Sequence, residues 1–292
     1  MIIIASSQEY CDKIKEDLFL KEYIEYVKNR KCIIQPWENL YKYVNNKDII
    51  ILKSIWGYHK EYRLFLKNIK ILSQKNVKLI NDYKFIFWNS NKHIYLDDIQ
   101  KQISIINFIS FRFIDFTNFN HLFRYINNTF LINKSKQYVI KPSISESGDD
   151  IHIINTISDL QYLYLKLKNN KNVYLIQPLI EEAKNGEYSV IIICAVIMYG
   201  IIRFPGVIFQ KKRSKYISLE MLDKNIIKEV NTIINLISHI FKEVPVIMRL
   251  DFIKVKKRYY LLEVELIDPD LFLKYVPLNM RNEVLKGITS TF

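Results

Sequence analysis

Apolar positions follow two rhythms along this chain. Short runs rich in Ile, Val, Tyr and Phe alternate with segments whose apolar residues recur every three or four positions, as strands separated by helices do. Ile2–Ala5 reads as a first strand, and Ser6 with Glu9 as a capping box opening an amphipathic helix to about Asn29. Strands follow at Cys32–Gln35 and Asp48–Leu52, then a helix over Glu61–Leu72 and a short strand at Val77–Ile80. That order predicts a doubly wound parallel sheet, with any ligand beyond the carboxyl ends of its strands. The segment Lys53–Tyr58 lies at such an end, so Trp56 and Tyr58 are candidate substrate contacts, or loop aromatics that only pack.

Around Tyr83–Asp98 the pattern changes, and Trp88-Asn89-Ser90-Asn91-Lys92 leads into a new helix. Strand-like Asn107–Phe116, helical His121–Ile132 and the strand Gln137–Lys141 come next. The small-residue loop Pro142–Gly148, the strand Ile151–Ile154, the helix Ser158–Lys168 and the strand Val173–Gln177 complete this part. The chain therefore reads as α/β in three parts: residues 1–85, 86–176 and 177–292. Val190–Ile202 is its longest apolar run, too short to cross a bilayer and better read as a buried hairpin.

The sharpest pattern lies between Val246 and Leu273, where two strands flank Lys256-Lys257-Arg258. Strand side chains alternate between faces, so Arg249 shares a face with Asp251, and Glu263 with Glu265. A loop of three residues would set Asp251 opposite Glu263 and Arg249 opposite Glu265, with roughly 5 Å between cross-strand neighbours. Carboxylates so placed repel unless a cation joins them. One or two carboxylates, completed by phosphate oxygens and water, are the usual protein ligands of Mg²⁺ at phosphoryl-transfer sites. The competing reading is a solvated hairpin face of mixed charge, against which the apolar opposite face argues.

Composition narrows the classes less than this pattern does. With 49% apolar and 14% aromatic residues over 292 positions, the chain is no disordered tail and has a core to bury. The net charge of +13 invites a nucleic-acid reading, yet Lys, Asn and Ile are spread along the whole chain. Its densest cluster, Lys211-Lys212-Arg213 with Lys215, is local. A site for phosphates explains part of the surplus as well. Three cysteines without metal-ligand spacing fit a reduced, cytoplasmic protein and no disulfide framework. Scattered histidines argue against zinc. The apolar start lacks a basic leader, so it is expected to be a strand and no signal peptide.

Lys141 ends a strand before a Ser/Gly loop, where a fixed positive charge and exposed N–H groups suit phosphate oxygens; a strand-end lysine reaching water is the plain alternative. Gln177-Pro178-Leu179-Ile180 offers backbone groups to a base edge, and Glu187 a carboxylate to ribose hydroxyls. In order, Lys92, the Lys-Pro loop, the Gln177 segment, Gly186-Glu187, Arg249-x-Asp251 and Glu263-x-Glu265 resemble the ATP-grasp superfamily, which includes D-alanine–D-alanine ligase and glutathione synthetase. The resemblance is nearer to a bacterial subgroup containing the cycloserine-forming O-ureidoserine cyclo-ligase. It rests there on Ser54–Tyr58, on Trp88-Asn89 with Lys92, and on Glu263-Val264-Glu265-Leu266-Ile267-Asp268-Pro269.

The resemblance implies an ATP-grasp fold: an N-terminal doubly wound parallel sheet domain followed by two α+β subdomains clamping ATP. By the same likeness Lys92, Lys141 and Ser147 contact ATP, Gln177, Pro178, Leu179 and Ile180 line the adenine, and Glu187 or Glu182 holds the ribose. Asp251, Glu263 and Glu265 would ligate Mg²⁺, as two ions, and Arg249 would face the reacting carboxylate. Ser54, Trp56, Tyr58 and Arg203 are candidate substrate contacts. Two departures stand out: the Ser143–Gly148 loop holds one glycine, and Glu265 occupies a position that is often Asn in the superfamily. The expected activity joins a carboxylate to an amine with ADP release, on an amino acid, small peptide or related metabolite, by a chain acting alone or as a homodimer. Two rival readings are a catalytically inactive ATP-grasp-like protein and a basic nucleic-acid-binding protein.

Overall fold

The computed structural model describes residues 1–11, 17–75, 77–103, 105–130, 137–146, 148–204 and 214–292. Ser147 and the Lys211–Arg213 cluster lie outside them. Three sheets succeed one another along the chain. The first holds β1 (Ile2–Ser6), β2 (Cys32–Pro36), β3 (Ile49–Leu52) and β4 (Lys78–Ile80), all parallel, in the order β2-β1-β3-β4. Its strands are short apolar runs because both faces are covered. Helices α1 (Leu18–Tyr26) and α2 (Tyr62–Gln74) connect them.

The helix expected from a Ser6–Glu9 capping box starts later. Asp17 caps α1 by accepting from the Leu20 N–H at 3.0 Å, while the Ser6 hydroxyl is buried and donates to the Ser54 carbonyl at 2.9 Å. The hydroxyl is thus taken by a neighbouring strand end, a partner that local spacing does not reveal.

Helices α3 (Tyr83–Asn89) and α4 (Lys92–Ile99) lead to the second sheet. It comprises β5 (Ile109–Phe111), β6 (Tyr138–Pro142), β7 (His152–Ile154) and β8 (Tyr174–Pro178), antiparallel in the order β5-β8-β6-β7, with α5 (Phe119–Phe130) and α6 (Ile157–Leu167) covering one face. The third sheet is five-stranded, in the order β11-β10-β9-β12-β13. Its strands are β9 (Glu187–Ile193), β10 (Val196–Arg203), β11 (Ser214–Ile217), β12 (Ile247–Val255) and β13 (Arg258–Glu265). Helices α7 (Lys224–Phe241) and α8 (Leu278–Thr289) complete the chain. The apolar run Val190–Ile202 is the β9–β10 hairpin, turning at Cys194-Ala195.

Alternation along the third sheet decides what each face meets. Val190, Ile192, Met248, Leu250 and Phe252 pack with α3, α4 and α7. Ile191, Ile193, Tyr199, Ile201 and Ile247 on the other face pack against Ile2 and Ile4 of the N-terminal sheet, Phe19 of α1, and α8. Two buried asparagines fasten the linker to this sheet. Asn81 donates to the carbonyls of Ile247 and Leu266 and accepts from the Ile247 N–H. Asn89 donates to Val264 and accepts from Leu266, at 2.6 and 2.8 Å. An Asn89→Ala variant leaves one buried carbonyl and one buried N–H without partners, and is expected to lose about 2 kcal/mol, read as a lower denaturant midpoint with unchanged slope.

Candidate active site

The face of the third sheet that meets the N-terminal domain is apolar only over part of its length. Along the same rows the side chains turn polar and charged: Ile191 gives way to Ser189 and Glu187, Ile201 to Arg203, and Ile247 to Arg249 and Asp251. Opposite them the second sheet presents Val139, Lys141 and Gln177, which alternate along β6 and β8 with residues of its own core. Between the two sheets lies a cleft of about 630 Å³, within the usual range for a small-molecule site.

The β12–β13 hairpin builds the floor. Arg249 pairs with Glu265 and Asp251 with Glu263, the pairing expected from sequence, although the route to it differs. Val255 pairs with Arg258 across a turn of two residues, with Lys256 at φ +57°, and a bulge at Leu262 then restores the register. The bulge also switches the phase of the strand. Tyr259 and Leu261 point into the core, whereas Leu262, Glu263 and Glu265 face the cleft.

Charges on this floor are tightly paired. Ser189 Oγ donates to Asp251 Oδ1 at 2.6 Å, and Arg249 gives Nε to Oδ1 and Nη2 to Oδ2 at 3.0 Å each. Arg203 Nη2 lies 3.0 Å from Asp251 Oδ2 and 3.0 Å from Glu187 Oε2. Arg249 also reaches Glu265 Oε1 at 3.2 Å and the Asp270 carbonyl at 3.4 Å. Burial alone would push the Asp251 carboxyl up, but Arg249, then Arg203, and the donated hydrogen bonds hold it below the usual range. Burial likewise raises Glu265; Arg249 opposes, the carboxylates of Glu263 and Asp251 reinforce, and the result is about 7. Glu263 goes the other way, because Lys92 and Lys141 outweigh its burial.

Lys92 Nζ lies 3.2 Å from Glu263 Oε1 and donates to the Ser145 carbonyl at 2.7 Å. The start of α4 is bonded to the Ser/Gly loop as well, Lys92 N–H to the Ser143 carbonyl at 2.8 Å and His93 N–H to Ser143 Oγ at 2.9 Å. Lys141 projects into the same cleft without an ion-pair partner among the described residues, and burial lowers its pKa against the pull of Glu263. Gln177, Pro178, Leu179, Ile180 and Glu187 line the cleft, but Glu182 does not. Burial raises the Glu187 carboxyl, with Arg203 acting against it.

The loop after β3 stays outside. Ser54 is buried at φ +51° with its carbonyl taken by Ser6 and Ser7, and Tyr58 packs on Phe65 with 4.7 Å between ring centroids. Trp56 is half exposed, edge-on to Tyr10 at 4.9 Å. The loop meets the Ser/Gly loop next to the cleft, through the Gly57 N–H that Glu146 accepts and through His59, 3.5 Å from Glu146 and 3.2 Å from Asp149. Three residues of the charged floor escaped the sequence reading. Ser189 was legible as the position two beyond Glu187 on one strand face. Asp270 and Phe272 carried no such signal, since they belong to an irregular segment.

The three carboxylates expected to bind metal are not gathered into one cluster: no group of three or more His, Cys, Asp or Glu suited to a metal ion occurs among the described residues. Both oxygens of Asp251 are engaged by Ser189 and the arginines, whereas Glu263 and Glu265 each keep one oxygen without a protein partner among the described residues. That pair suits a hard, oxygen-seeking cation.

No family model and no curated protein matches the chain. Solved structures do. The crystal structure of D-cycloserine synthetase superposes with a TM-score of 0.79 at 15% identity, covering 100% of this chain and 99% of that one. The D-alanine–D-alanine ligase from Bacillus anthracis gives 0.71 at 14% identity, with 99% and 96% covered. The ATP-grasp ligase PsnB, complexed with a minimal precursor, gives 0.65 at 10% identity, with 99% and 97% covered. The chain has the ATP-grasp fold. In that ATP-grasp frame the cleft described above lies between the second and third sheets, and no helix among the described residues is long and apolar enough to cross a membrane.

Proposed function

We propose that this ATP-grasp protein is an ADP-forming ligase that activates a carboxylate as an acyl phosphate and passes it to an amine. One observation carries the reading: Arg249, Asp251, Glu263 and Glu265 share the floor of a cleft whose other wall supplies Lys92 and Lys141. On a solvated hairpin face the four hairpin groups would be exposed to water. Here Asp251 is 2% and Arg249 7% exposed.

Each residue then has a task. Lys141, half-buried and without an ion-pair partner among the described residues, receives phosphate oxygens, and Lys92 joins it from the other side of the Ser/Gly loop. Leu179 and Ile180 offer an apolar wall to the adenine, and Glu187 a carboxylate to ribose hydroxyls. Glu263 and Glu265 would hold Mg²⁺, which supplies neutralisation of the phosphoryl oxygens. A substrate carboxylate oxygen attacks the γ-phosphorus and the bond to the bridging oxygen breaks, releasing ADP. The amine nitrogen then adds to the acyl carbon and loses a proton while phosphate departs with the C–O electron pair. Arg249 stabilises the oxyanion of that addition, worth about 3–4 kcal/mol per donor in comparable sites.

The test is a coupled assay of ADP release with Mg²⁺ and ATP across amino acids, dipeptides and O-ureidoserine. Release that needs both an acid and an amine within the panel, or one molecule carrying both, is the expected result. Nucleotide bound without ADP formed with any of them would instead mark a binding protein. A Lys141→Met variant is expected to raise the KM for ATP at least tenfold with a smaller change in kcat, since removing a phosphate contact weakens ground-state and transition-state binding alike.

A further inference from the structure

Arg203 and Arg249 reach the cleft from different strands, β10 and β12, yet their guanidinium groups stand side by side. Both Nη2 atoms are 3.0 Å from the same oxygen, Oδ2 of Asp251, so they are no further apart than two hydrogen bonds laid end to end. Two cations this close repel; Asp251 lies between them, Glu187 and Glu265 each take one of them, and a further group adjoins both. The guanidinium carbons of both lie over one ring, that of Phe272: Arg203 Cζ is 5.6 Å and Arg249 Cζ 5.5 Å from its centroid. An aromatic face attracts cations through its quadrupole, and planar guanidinium groups stack on it well.

Phe272 is held in an unusual way. Its φ is +54°, the left-handed region that bulky residues seldom enter. The turn is fixed by Asp270 Oδ1, which accepts the Phe272 N–H at 2.8 Å. A glycine would suit the backbone better, so the side chain is what the position demands. The ring borders the cleft itself. One more feature points to a ligand: Arg203 Nε is a buried donor with no acceptor among the described residues.

We propose that Phe272 is a positioning residue, an aromatic platform that holds Arg203 and Arg249 as a paired receptor for a phosphoryl dianion, with Asp251 as its internal stand-in. Two guanidinium groups held side by side offer more donors to the oxygens of a tetrahedral phosphate than one does. The inference rests on the ligase reading for its place in the reaction, but the receptor is testable without it.

The experiment uses the full chain and inorganic phosphate as the probe, titrated calorimetrically with and without MgADP, for the parent, Phe272→Leu and Phe272→Tyr. The expected result is phosphate binding by the parent, weakened about tenfold in Phe272→Leu and kept within twofold in Phe272→Tyr, with MgADP affinity alike in all three. Unfolding midpoints are recorded for each. Should the leucine variant not fold, Arg203→Lys, which keeps the charge but not the planar stack, is expected to show the same loss. Phosphate affinity independent of the ring, or no phosphate binding in either condition, overturns the platform. Aromatic-dependent phosphate binding in a protein that does not bind MgADP upholds the platform and removes the ATP-dependent reading instead.

Discussion

Replacing Glu263 by Gln is expected to lower substrate-dependent ADP release by roughly 10³-fold or more while leaving the fold in place, because it removes a carboxylate ligand of the cation proposed to neutralise the phosphoryl oxygens. The substitution is close to isosteric. Glu263 is partly exposed at the cleft, and its protein partner is Lys92, which keeps its bond to the Ser145 carbonyl when the carboxylate is gone. Loss of one ion pair at a cleft edge costs about 1 kcal/mol or less. The catalytic cost is of another order. Lys92 and Lys141 keep Glu263 ionised in spite of burial, so the site is built around a negative charge at this position, and an amide is a poor ligand for a small divalent cation. Steady-state ADP release and a thermal melt, run on the same preparation, separate the two effects. Parent-like turnover in Glu263→Gln would take this residue out of the proposed metal site.

How far the sequence led depends on the range of the interaction behind each feature. The parallel N-terminal sheet was legible because short runs such as Ile49–Leu52 are apolar throughout, as strands covered on both faces must be. The hairpin pairing of Arg249 with Glu265 was legible from strand alternation, yet the assumed three-residue loop is in fact a two-residue turn plus a bulge at Leu262. Two errors of one residue cancelled, and composition offers no warning of a bulge at a leucine. Long-range contacts were out of reach. Ser6 looked like a helix cap and instead bonds Ser54, and the packing of Tyr58 on Phe65 joins residues too far apart in sequence for local spacing to show. Arg203 was singled out only as a basic residue after an apolar hairpin. Its link to Asp251 crosses two strand neighbours and depends on the register of β9 with both β10 and β12.

Arg249→Met should be the most destabilising single change at the site, and its pH dependence should reveal why. Arginine and aspartate are both buried here, Arg249 at 7% and Asp251 at 2% exposure, so removing the cation leaves a carboxylate with only Arg203 and Ser189 beside it. Breaking a buried pair from one side costs about 3–5 kcal/mol; the surviving Arg203 places this case near the lower end. That corresponds to a fall of roughly 5–10 °C in Tm for a chain of this size. The sign of the pH effect follows from Asp251. In the parent its folded-state pKa is depressed, so the stability it contributes is present above the unfolded carboxylate range and is lost as pH falls through the lower folded value. Without Arg249 burial has less to oppose it and the folded pKa rises, so protonation relieves the variant where it does not relieve the parent. The deficit is therefore expected to be largest near pH 7 and to narrow toward pH 4. A second change tests the same physics from the opposite side. Arg249→Met combined with Asp251→Leu removes both charges, frees Ser189 and Arg203 to find other partners, and is expected to recover at least half of the lost stability with none of the ADP release. Denaturant melts of the three proteins at pH 4, 5.5 and 7 decide it: a deficit that does not change with pH would mean that lost packing against Phe272, and no stranded carboxylate, is what the arginine's removal costs.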